Sequence, residues 1–141
     1  MNILQLRFCT HEEFRPYRVK VKAAVQNILS INDSFLMEVA INEAVNNALC
    51  NNHPMNPVSL SMRVSSRKRL IIRIKDSGEG FDVKNALKDL ASSSELLFER
   101  NLTSESGRGI GIINIAADKM IYNQKGNELL LMKYIRTETD L

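Results

Sequence analysis

The chain has 141 residues, 44% of them hydrophobic and 25% charged, which excludes a disordered polymer and gives enough apolar material for one continuous core. Its formal charge is +3 and its pI about 9.0, a mild basicity that suits acidic ligands without demanding a nucleic acid. No apolar run approaches the roughly 20 residues of a membrane helix, the N-terminal apolar stretch is too short for a signal segment, and Cys9 and Cys50 form no CxxC pair. One domain over 1–141 in a reducing, cytoplasmic setting is therefore expected, with no membrane and no direct nucleic-acid partner.

In chain order, "LRF" near the N-terminus reads as an edge strand. Tyr17, Val21, Ala24, Val25, Ile28 and Leu29 follow helical spacing, with Pro16 placed in the first turn. A second helix, "SFLMEVAINEAVNNALCNN", takes its cap from Asn32, Asp33 or Ser34 and is stopped by "HPMNP". Val58, Leu60, Met62 and Val64 alternate with polar residues, as do Leu70, Ile72 and Ile74, so these runs predict an antiparallel hairpin. The basic run "SSRKRL" at 65–70 then becomes a solvated hairpin tip, and parity puts Asp76 on the apolar face.

From Phe81 the periodicity weakens. A short helix near 84–91 and a Ser-rich stretch predict a lid over about 82–106, since connections of this length are unusual without a function. A helix restarts at "GIGIINIAADKM", and "MIYNQKGNELLLMKYI" predicts a final hairpin turning at Lys125 and Gly126. The resulting class is α+β: a two-layer sandwich with a mostly antiparallel sheet and helices on one face.

Three stretches carry chemistry. Glu43, Asn47 and Asn51 are spaced by four and share one helical stripe, which would be an ordinary solvent-facing edge if it stood alone. "IKDSGEGFD" places Asp76, Gly78 and Gly80 directly after a strand; read locally this is a turn, but a core-side carboxylate needs a hydrogen-bonding partner. In "SGRGIGI", Gly107, Gly109 and Gly111 lead into an apolar helix, where backbone N–H groups and the helix dipole favour an anion. The surroundings fit neither a dinucleotide-binding fingerprint nor a P-loop. His11 and His53 read as ordinary surface or loop residues.

In this order, the three stretches resemble the boxes of the Bergerat-type (GHKL) ATPase superfamily, which includes gyrase, MutL and histidine-kinase ATP-binding domains. "EAVNNA" is similar to the N box, "DSGEGF" to the D-x-G-x-G box and "GRGIGI" to the glycine box that hinges the ATP lid. The short length and the E-A-V-x-N-A form most resemble bacterial anti-sigma-factor serine/threonine kinases.

The resemblance implies roles residue by residue. Asn47 would ligate the Mg²⁺ that bridges the ATP phosphates, and Glu43 would be the catalytic base or would orient the attacking hydroxyl. Asp76 would accept from the adenine amino group, with Gly78 and Gly80 letting the chain pass close to the base. Gly107, Arg108, Gly109, Ile110 and Gly111 would form the phosphate-covering box, Arg108 matching phosphate geometry. The implied partners are ATP, a protein such as an anti-anti-sigma factor, a sigma factor, and a second copy of the chain in a homodimer. Asn51 departs from the pattern, since many of these kinases have histidine there, and His53 comes two residues later off the same face. A nucleotide-sensing module without phosphoryl transfer is the alternative, and a basic nucleic-acid adaptor a third reading.

Overall fold

In the computed structural model, which describes residues 1–84 and 105–136, the chain runs β1 (Asn2–Phe8), α1 (His11–Ile28), α2 (Ile31–Asn51), β2 (Val58–Ser65), β3 (Arg69–Lys75), α3 (Glu105–Ala116), β4 (Lys119–Tyr122) and β5 (Glu128–Tyr134). The five strands form one sheet in the order β1-β2-β3-β5-β4, every neighbouring pair antiparallel. "LRF" does lie in an edge strand, β1.

The β2–β3 hairpin follows from the alternation of its sequence. Leu60 pairs with Ile74, Met62 with Ile72 and Val64 with Leu70, so one face of both strands is apolar throughout. Residues 66–68 turn the chain, and Lys68 takes the left-handed conformation at φ 56°, as the last residue of a three-residue hairpin loop commonly does. Val58, Leu60, Met62, Leu70, Ile72, Ile74, Leu129 and Leu131 then bury against Phe14, Val21 and Val25 of α1, Met37, Ile41, Ala44, Val45 and Ala48 of α2, and Ile113 and Ala116 of α3. That cluster places the helices on one face, as the α+β class requires. Lys133, next on the same face of β5, is also buried, where Asp118 at 3.4 Å and Asp33 at 3.7 Å compensate its charge.

Both early helices begin sooner than expected. Thr10 caps α1, its Oγ1 accepting from Glu13 N–H at 3.1 Å while Glu13 Oε2 accepts from Cys9 N–H at 3.1 Å. Pro16 consequently lies beyond the first turn, inside a helix that continues through it. Ser30, rather than Asn32, Asp33 or Ser34, caps α2, with Oγ accepting from Asp33 N–H at 3.3 Å. The final hairpin turns at the expected place, with Gly126 at φ 87°. Asn123 organises that turn: its Oδ1 accepts from the N–H groups of Gly126, Asn127 and Glu128 at 2.8, 3.0 and 3.1 Å.

The third helix differs in a further way. Its backbone is already helical at Glu105, so Gly107, Gly109 and Gly111 lie within it rather than in a loop ahead of it. Of the expected lid, 85–104 lies outside the described residues, as does nearly all of the short helix expected near 84–91. Among the described residues no helix is long and apolar enough to cross a membrane.

Candidate functional site

Strand parity carries Asp76 to the helix side of the sheet immediately after β3, where the residue is only 7% exposed. Its own N–H donates to the Asn127 carbonyl at 2.9 Å, and its Oδ1 accepts from Gly78 N–H at 2.7 Å. Burial pushes the carboxyl above its ordinary value, opposed by the Gly78 N–H and by the nearby charges of His53 and Lys125. A carboxylate has about four lone-pair sites, so the Gly78 bond leaves acceptor capacity for a ligand donor.

The loop after Asp76 is held on two sides. Toward α2, a Cβ on Gly78 would stand 1.8 Å from the Asn51 carbonyl oxygen, and Asn52 Oδ1 accepts from both Ser77 N–H at 2.9 Å and Ser77 Oγ–H at 2.8 Å. Toward the β4–β5 turn, Asn127 Nδ2 donates to the Gly78 carbonyl at 3.3 Å and Phe81 N–H to the Lys125 carbonyl at 3.2 Å. Gly80 has φ 79°, and a Cβ there would meet the Lys125 oxygen at 1.8 Å. Both glycines are thus required by contacts with protein backbone. Phe81 packs edge-on against Tyr122 at 4.9 Å, and burial raises the Tyr122 phenol to about 12.

The stripe on α2 divides by environment. Glu43 and Asn47 are half-buried beside the buried Ala44 and Ala48, whereas Asn51 is exposed and donates through Nδ2 to the Asn47 carbonyl at 2.9 Å. Asn51 is therefore engaged with its own helix. Because its carbonyl abuts Gly78, the Glu43–Asn47 row ends at the Asp76 loop. Helix α3 packs along α2 with Ile110 and Ile113 buried, and the backbone at Gly107, Arg108 and Gly109 is helical. Among the described residues, a Cβ on Gly111 would meet no atom within 4 Å outside its own stretch of helix, so packing against them does not demand glycine there.

Among the described residues no group of three or more His, Cys, Asp or Glu could hold a metal by itself. The half-buried Asn47 side chain offers a neutral amide oxygen, which fits a Mg²⁺ that completes its shell with phosphate and water.

Sequence reasoning passed over Asn52, Ser77, Asn123 and Asn127, which shape the loop through contacts that link α2, β3 and the last turn. Their only signal was a concentration of amides and hydroxyls at element ends. The histidines also have specific surroundings: His11 Nε2 lies 2.8 Å from Asn46 Oδ1, joining α1 to α2, and exposed His53 lies near enough to Asp76 to act on its charge.

No curated protein matches the chain. A family model described as the histidine kinase-like ATPase domain matches residues 10–133, which takes in α1, α2, the Asp76 loop, α3 and strands β2 to β5 up to residue 133 but not β1. The chain therefore belongs to the histidine kinase-like ATPase domain family, and ATP binding is the coarse function that this membership carries.

Proposed function

We propose that the chain binds Mg-ATP between α2, the Asp76 loop and α3, and acts as a serine/threonine protein kinase of the anti-sigma-factor type. Its substrate would be a regulatory protein in a partner switch. The observation that carries the reading is the abutment of Asn51 on Gly78, which brings the Glu43–Asn47 row to the loop of a buried carboxylate. Asp76 accepts from the adenine amino group, a fit for a carboxylate with one oxygen already committed to Gly78.

Asn47 and the ATP phosphates hold Mg²⁺, which when bound neutralises the phosphate charge. Glu43 orients the serine or threonine hydroxyl of the partner and takes its proton as the γ-phosphoryl group passes to the hydroxyl oxygen, with ADP leaving. The box from Gly107 to Gly111, with Arg108 and Ile110, covers the phosphates, and 82–106 forms the lid. The active form is a cytoplasmic homodimer of single-domain chains; an anti-anti-sigma factor is the phosphorylated partner and a sigma factor the controlled one.

One observation favours a second reading. Asn51, at the position where many such kinases have histidine, spends its amide on the Asn47 carbonyl. This suits a module in which ATP sets partner affinity without phosphoryl transfer. Transfer of label from γ-labelled ATP to the protein products of neighbouring genes separates the two: labelling that disappears in Glu43→Ala supports the kinase, and ATP-dependent partner binding without label supports the sensor.

A further inference from the structure

Asn52 belongs to none of the three sequence motifs, yet it joins two of them. It ends α2 in an extended conformation, φ −73° and ψ 146°, and its half-buried side chain turns toward the loop after β3. Oδ1 accepts both donors of Ser77, the backbone N–H at 2.9 Å and the hydroxyl at 2.8 Å, while Nδ2 donates to the Asn56 carbonyl. The amide is thereby held at both ends. One residue earlier, the Asn51 carbonyl fills the space that a side chain on Gly78 would need. Residues 51 and 52 therefore press on residues 77 and 78 by consecutive contacts, one steric and one hydrogen-bonded.

We infer that Asn52 is a positioning residue that sets the spacing between the base-reading loop at Asp76 and the phosphate-handling row at Glu43 and Asn47; this rests on the nucleotide reading above. ATP engages both regions at once, and the second engagement is strong only if the two stand at the separation the ligand requires. Asn127 supplies the internal contrast. It also holds the loop, through the Gly78 carbonyl and its own carbonyl to Asp76 N–H, but it does so from the β4–β5 turn and not from α2. Asn127 shapes the loop, whereas Asn52 ties it to the helix.

The two jobs separate by ligand. Adenosine uses only the base-reading loop, while ATP uses loop and row together. Affinities of Asn52→Ala for adenosine and for Mg-ATP are measured by displacement of a fluorescent ATP analogue, with thermal melts to establish folding. Loss of the two bonds to Ser77 is expected to weaken Mg-ATP about tenfold and adenosine by no more than about twofold. Asn127→Ala is expected to weaken both ligands by similar factors. Ser77→Ala keeps the backbone donor and should give an intermediate, ATP-selective loss, which preserves the test should Asn52→Ala fail to fold. Equal losses for the two ligands in the Asn52 and Ser77 variants, or none, overturn the spacing role. A wild-type protein that binds neither ligand overturns the nucleotide reading itself.

Discussion

The carbonyl oxygen of Asn51 occupies the place where Gly78 would carry a side chain, 1.8 Å from an ideal Cβ. The obstacle is backbone at the end of a 21-residue helix, so no side-chain rotation relieves it. Gly78→Ala must move either the loop or the last turn of α2. Overpacking of this kind costs about 1–3 kcal/mol. A lowered melting temperature and weakened ATP binding are expected together; an unchanged melt would show that the two elements part easily.

Gly111→Ala should behave in the opposite way. Among the described residues, nothing outside its own stretch of helix lies within 4 Å of its would-be Cβ, and the residue is helical, where alanine is favoured over glycine by roughly 0.5–1 kcal/mol. The nucleotide-free protein is expected to melt at the same or a higher temperature. If the space is kept for phosphate, the additional stabilisation by ATP should shrink. A variant stabilised by ATP as strongly as the wild type would remove Gly111 from the site.

Asp76 gives a pH prediction. Burial raises its folded pKa above the ordinary value of 3.8, so its favourable contribution to stability is present below that value and is lost as pH rises through the raised one. At neutral pH the ionised group therefore opposes folding, and Asp76→Asn should leave stability equal or greater. Binding should fall by roughly tenfold or more, because an asparagine whose oxygen accepts from Gly78 N–H turns its amide hydrogens toward the adenine amino group. Chemical denaturation at several pH values, with nucleotide titrations alongside, checks both halves. A variant less stable at pH 7 that still binds ATP normally would contradict both.

The sheet was legible because alternation with a period of two admits few registers, and the pairing of Leu60 with Ile74 and Met62 with Ile72 follows from it. The same parity correctly assigned Asp76 to the interior. Helix starts were less legible. Ile31 opens α2 yet is 88% exposed, so the apolar pattern gave no reason to place the cap before it at Ser30. For Gly78 and Gly80 the residues were recognised but not their constraint, since the oxygens of Asn51 and Lys125 that exclude side chains there are remote in sequence. Asn52 and Ser77, 25 positions apart, meet only through the tertiary fold.

Glu43 and Asn47 share a stripe but should separate kinetically. Asn47→Ala is expected to weaken Mg-ATP binding and activity together. Glu43→Ala should keep most of the affinity while losing on the order of 10²–10⁴ in phosphoryl transfer, because its interaction matters chiefly as the hydroxyl attacks. Binding titrations beside single-turnover kinetics resolve the two. A Glu43→Ala protein that transfers phosphate at the wild-type rate would leave the stripe as a binding feature and favour the nucleotide sensor.

The central claim, an adenine nucleotide held by Asp76 at one end and by the Glu43–Asn47 row at the other, is tested most directly by calorimetric titration of the wild-type chain with ATP, with and without Mg²⁺, and with GTP. One saturable site per chain is expected, strengthened by Mg²⁺ and preferring ATP over GTP, since guanine presents a carbonyl where Asp76 requires a donor. No ATP binding, or equal affinities for ATP and GTP, would contradict it.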